Sequence, residues 1–132
     1  MADYENAESN SGFAVRKTDF LEQNGSKTYA FHWRTRSYGF SAEVENIWFY
    51  RDDILTFLKD AEDVLNQKQT KAVLEAMSDF ELVLERVDDL GHFSVRFEVE
   101  NPIHQNSASI TTKFATQVVA EFLRDLERII MD

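Results

Sequence analysis

Residues 40–65 read FSAEVENIWFYRDDILTFLKDAEDVL, and the apolar period changes inside them. Phe40, Ala42 and Val44 alternate with Ser41, Glu43 and Glu45, the two-residue period of a strand with one buried face. From Asp52 onward Ile54, Phe57, Leu58, Ala61, Val64 and Leu65 recur at steps of three and four, which places them on one helical stripe. Asp52 and Asp53 fall in the expected first turn, where carboxylates suit the helix dipole. The stretch therefore predicts a strand to about Trp48 that leads into a helix over residues 52–66.

On the N-terminal side, Tyr29, Phe31, Trp33 and Thr35 alternate with Ala30, His32, Arg34 and Arg36, the clearest strand in the chain. Asn24-Gly25 before it is a tight-turn signal, since both residues tolerate positive φ. A further strand is expected around Phe13–Arg16, and Met1–Ser11, polar and acidic, reads as a disordered tail rather than a secretory signal. On the C-terminal side Thr70–Met77 is read as a strand despite its helix formers. Phe80, Leu82 and Leu84, then Phe93, Val95, Phe97 and Val99, alternate with polar residues around a turn at Asp88–Gly91 and predict an antiparallel hairpin. Asn101-Pro102 ends it, because proline cannot continue a ladder. Ser107–Phe114 is another strand, Thr116 a helix cap, and Val119, Phe122, Leu123, Leu126, Ile129 and Ile130 form a helical stripe over 116–131.

The two helices align at an offset of sixty-five residues: Phe49 meets Phe114, and Phe57-Leu58-Lys59-Asp60 meets Phe122-Leu123-Arg124-Asp125. This is the mark of an internal pseudo-repeat, although any two amphipathic helices share a stripe. The fold class expected is α+β, one antiparallel sheet of six to eight strands with two helices packed on one face. Residues 1–11 form the tail and residues 12–132 a single domain.

Composition narrows the function. The 132 residues carry a net charge of −10, which disfavours nucleic acid and anionic lipid as partners. Acidic residues outnumber basic ones seven to two in both Ser41–Leu65 and Asp79–Glu100, whereas Arg16–Phe40 has five basic and two acidic. No cysteine, phosphate loop or nucleophile elbow is present. His32, His92 and His104 lie far apart, so no catalytic, cofactor or metal residue is assigned and no cofactor is expected. Asp52-Asp53 and Asp88-Asp89 diverge in direction and read as a helix start and a turn. No stretch of about 18 apolar residues is present to span a membrane.

The order of elements, with Asp53–Leu58, Phe80–Leu84, Gly91-His92-Phe93-Ser94-Val95 and Val119–Ile130 as its carriers, resembles the WapI-like immunity proteins of bacterial wall-associated and contact-dependent toxin systems. The resemblance runs from about Tyr29 to Met131 and implies a cytoplasmic, non-enzymatic protein that occludes a cognate toxin. It supplies no functional residues. Alternation alone places Glu43, Glu45, Glu81, Glu85, Glu98 and Glu100 on the solvent face of the sheet, where they would meet a basic toxin. Two other classes stay open. One is an adaptor domain that forms a homodimer through a sheet edge. The other is a small-ligand domain with a pocket between sheet and helices, lined by Trp33 or Trp48.

Overall fold

The computed structural model describes residues 2–6, 11–37, 40–77, 80–101 and 106–131. The chain runs β1 (Ala2–Asn6), β2 (Ser11–Gln23), β3 (Ser26–Ser37), β4 (Phe40–Tyr50), α1 (Arg51–Leu65), β5 (Lys71–Glu75), β6 (Phe80–Arg86), β7 (His92–Asn101), β8 (Asn106–Ala115) and α2 (Thr116–Met131). Helix and hairpin positions agree with the periodicity, and Lys71–Glu75 is a strand. The single large sheet is corrected. The strands form two four-stranded antiparallel meanders, β1-β2-β3-β4 and β5-β6-β7-β8, each followed by a helix. Alternation reports which face of a strand is apolar. It does not say whether two apolar faces continue one sheet or oppose each other.

They oppose each other. Phe13, Val15, Tyr29, Phe31, Trp33 and Phe49 of the first sheet share one core with Leu74, Phe80, Leu82, Leu84, Phe93, Val95, Phe97 and Phe114 of the second. Rings meet across the gap: Trp33 stacks on Phe80 at 5.4 Å, Phe13 meets Phe97 at 5.1 Å, and Phe49 stands edge-on to Phe80 at 5.9 Å. Both helices belong to this core. α1 touches β3 and β4 of one sheet and β5 and β6 of the other, and α2 touches β1, β7 and β8. Ile54, Phe57, Ala61 and Val64 of α1 are buried, as are Val119, Phe122, Leu123, Leu126 and Ile130 of α2, while Leu58 and Leu65 are half-buried.

Local rules explain the connections. β2 and β3 pair Gln23 with Ser26, so Asn24-Gly25 is a two-residue loop, and both residues take positive φ (53° and 80°) as a type I′ turn requires. α1 ends in a Schellman motif, in which Lys68 N donates to Asp63 O and Gln67 N to Val64 O. Gln67 occupies the left-handed position at φ 62° where glycine is usual, so no glycine marks this end. Thr116 does not act as the expected helix cap in its side-chain bonding: its N–H and its hydroxyl both donate to Gly91 O, tying α2 to the β6–β7 turn.

The expected tail is also corrected over its first residues. Ala2–Asn6 pair with Ser11–Val15 as β1. One aromatic residue in a polar segment accounts for this. Tyr4 is 2% exposed, its ring packs 4.9 Å from Phe13 and 5.3 Å from Phe122, and its hydroxyl donates to Asp125 Oδ2 at 2.7 Å. Tyr4→Phe should therefore cost about 1.5–3 kcal/mol in denaturant unfolding, the worth of a hydrogen bond to a charged acceptor. A frayed tail would give no change.

Candidate functional site

Two solvent-facing sheet surfaces carry the charged residues of the strands. On the second sheet the register is direct: Glu75 lies opposite Glu81 on the neighbouring strand, and Glu81 opposite Glu98 on the next. Three carboxylates thus stand in one row across β5, β6 and β7. Opposed like charges destabilise a sheet by roughly 0.2–1 kcal/mol per pair. Arg96 Nε lies 2.8 Å from Glu98 Oε1, without the geometry of a regular hydrogen bond, whereas Glu75 and Glu81 have no ion-pair partner among the described residues. Four residues along each strand Glu85 faces Lys71, an opposite-charge pair. Between these rows Val73 pairs with Val83 and Val83 with Arg96, and Val83 is buried on this outer face.

The first sheet's outer face has a different make-up, set by a bulge. Phe31 pairs with Ile47 but Trp33 with Val44, so Glu45 and Asn46 together oppose His32, and Asn46 takes φ 56°. The alternation of β4 slips there. Upstream, Ala42 and Val44 lie beside Trp33 on the core side; downstream, Ile47 and Phe49 do. Trp48 moves to the outer face opposite Ala30, with Glu43 opposite Arg34. His32 on this face is 7% exposed, with Arg16 Nη2 3.4 Å from its Nδ1 and its Nε2 in an ion-pair contact with Glu43.

The six expected glutamates therefore do not form one patch. Glu43 and Glu45 lie on β4 of the first sheet, while Glu81 and Glu85 on β6 and Glu98 and Glu100 on β7 belong to the second. Glu75 and His32 were not singled out by sequence reasoning. Glu75 sits in a short strand rich in helix formers, and the tie of His32 to Glu43 depends on the pairing of β3 with β4. Much of the acidity of Ser41–Leu65 lies on α1 rather than on a strand: Asp52, Asp53, Asp60, Glu62 and Asp63 against Arg51 and Lys59.

Hollows are modest among the described residues. Trp33 lines an apolar gap of 20 Å³ with Ala42, Val44, Phe80, Phe97 and Val99, room for little more than one water. A groove of 380 Å³ runs between the helices, with Leu55, Leu58 and Leu123 among its lining and charged Lys59, Glu62, Arg124 and Glu127 beside them. Its volume suits a small ligand, but it is an open groove rather than an enclosed pocket between sheet and helices. At the β6–β7 turn Asp88 Oδ1 accepts from Leu90 N (2.8 Å) and His92 N (3.3 Å), and Oδ2 lies 2.9 Å from His92 Nδ1. Gly91 takes φ 87°, and a Cβ there would meet Thr116 Oγ1 at 3.0 Å.

No family model matches the chain, and no curated protein matches it either. Among solved structures, WHY1 from Arabidopsis thaliana is similar over 98% of this chain and 87% of its own, with a TM-score of 0.52 at 8% identity. MRP1/MRP2 of Trypanosoma brucei is similar over 96% and 79%, with a TM-score of 0.49 at 14% identity. At 8% identity the likeness to WHY1 is one of fold.

The Asp88 turn yields a pH test. Partial desolvation pushes its carboxyl up, but hydrogen bonds from the His92 side chain and from the Leu90 and His92 amides outweigh it, so the pKa lies below its ordinary value. A depressed carboxyl stabilises the fold above its unfolded pKa, and that support is lost as pH falls through the folded one. A carboxyl NMR titration should place Asp88 below 3.8, with the Leu90 and His92 amides moving in step. A midpoint at or above that value contradicts the turn geometry.

Proposed function

We propose that this protein acts by binding a basic protein partner through the outer face of its second sheet, in the manner of an immunity protein that occludes a toxin. The observation that carries this reading is the row Glu75, Glu81, Glu98, held in register by backbone pairing and answered among the described residues by Arg96 alone. Cationic groups of a partner would relieve the repulsion within the row, so the sheet's local cost becomes binding energy. The net charge of −10 steers such a partner at long range. Glu85 extends the contact, while Glu43 and Glu45 fall outside it. The twofold succession of meander and helix, with Phe49 and Phe114 each buried two positions before its helix, supports an origin by internal duplication.

A photo-crosslinking residue at position 81 should capture a basic protein that one at position 43 does not. With that partner in hand, Glu75→Lys, Glu81→Lys and Glu98→Lys together should slow association at least tenfold, within the range that steering supplies. They should also remove most of its salt dependence, because screening acts over about 8 Å at physiological ionic strength. Equal effects from reversing Glu43 and Glu45, or association indifferent to salt, would overturn the assignment of this face.

A further inference from the structure

We infer that the outer face of the first sheet holds a divalent-cation site formed by His32, Glu43 and Glu45, with Zn²⁺ as the ion that suits it. A ring nitrogen of His32 and one carboxylate oxygen from each glutamate lie within 4.8 Å of one another, and Nε2 is the nitrogen that meets Glu43. The His32 side chain is 9% exposed, its Nε2 makes no regular hydrogen bond, and it abuts Glu43 Oε1. A neutral imidazole can answer the adjacent carboxylate by donating its own Nε2–H, or a cation can bridge the two groups once they part to coordination distance. A proton on Nε2 serves Glu43 alone, whereas a cation serves Glu43 and Glu45 together.

The fold brings the three together without help from sequence proximity. His32 lies on β3, Glu43 sits on the facing strand β4 opposite Arg34, and Glu45 belongs with Asn46 to the bulge that opposes His32. One imidazole nitrogen with two carboxylate oxygens is a borderline donor set that selects Zn²⁺ over Mg²⁺ and Ca²⁺, which favour all-oxygen shells, and water completes the coordination. The proton-only state has a distinct signature. Arg16 Nη2 stands 3.4 Å from Nδ1, and because a guanidinium only donates, the metal-free ring carries its proton on Nε2. Zn²⁺ on Nε2 moves that proton to Nδ1, and the exposed Arg16 side chain must then turn away.

The test is a ZnCl₂ titration of the full chain, followed by calorimetry and by long-range nitrogen–proton NMR of the histidine rings. One Zn²⁺ should bind while His32 changes tautomer, and MgCl₂ at the same concentration should leave the ring unchanged. Glu43→Gln with Glu45→Gln alters exposed side chains, leaves the core intact, and should weaken Zn²⁺ by about tenfold or more. His92→Ala, which removes the separate Asp88–His92 pair, should leave the affinity as it was. Zn²⁺ binding that survives the double glutamine variant, disappears in His92→Ala, or leaves the His32 tautomer unmoved overturns the site. Zn²⁺ that does not bind at all assigns the contact to a proton.

Discussion

The ring contacts of Trp33 hold the two halves together. Its indole meets Phe31 and Phe49 on its own sheet, Phe80 and Phe97 on the other, and Phe122 on α2, all with centroids 5.4–6.2 Å apart. Each such pair contributes roughly 0.5–1.5 kcal/mol beyond simple burial. Against this, the indole N–H is buried without a hydrogen-bond partner among the described residues, at a cost of about 1–3 kcal/mol. The ring contacts outweigh the orphaned donor, and they need both sheets in place. Phe13 plays the matching part at the other flank, meeting Tyr4 of β1, Phe97, Phe114 and Phe122. A four-stranded meander with one helix leaves its apolar face half covered; the second meander and helix complete the cover.

What the sequence disclosed follows from this arrangement. Residues 29–35 alternate cleanly in sequence because one face supplies Tyr29, Phe31 and Trp33 to the aromatic core while the other carries Ala30, His32 and Arg34, of which Arg34 is exposed. The helices were legible because their stripes face that core throughout. Features that depend on pairing between distant segments were hidden. The split into two sheets is invisible to alternation, which has no register in it. β1 was hidden because a single buried Tyr4 stands among polar residues. The slip at Asn46 was hidden because this bulge is built without a glycine, so Trp48 appeared to continue the Val44 face. The same limits applied to the site. The charge of each glutamate was plain, but only pairing puts Glu75, Glu81 and Glu98 in one row and Glu43 beside His32.

The two outer faces then differ in kind. The second sheet carries a row of like charges that its own chain answers in part, a surface suited to a cationic partner. The first alternates arginine with glutamate around a buried histidine, so its charges largely answer one another, and what remains is a small polar centre. A rigid shared core serves both, because register fixes the spacing of every charged side chain on these faces.

The two meanders form one cooperative unit through the Trp33–Phe80–Phe97–Phe13 contacts. Native-state hydrogen exchange across a denaturant series reads this directly, because amides that open only on global unfolding share one free energy. The slowest amides of β3 and those of β6 and β7 should converge on a single value with a single denaturant dependence. Two separate values, with one sheet exchanging while the other stays protected, would contradict the shared core.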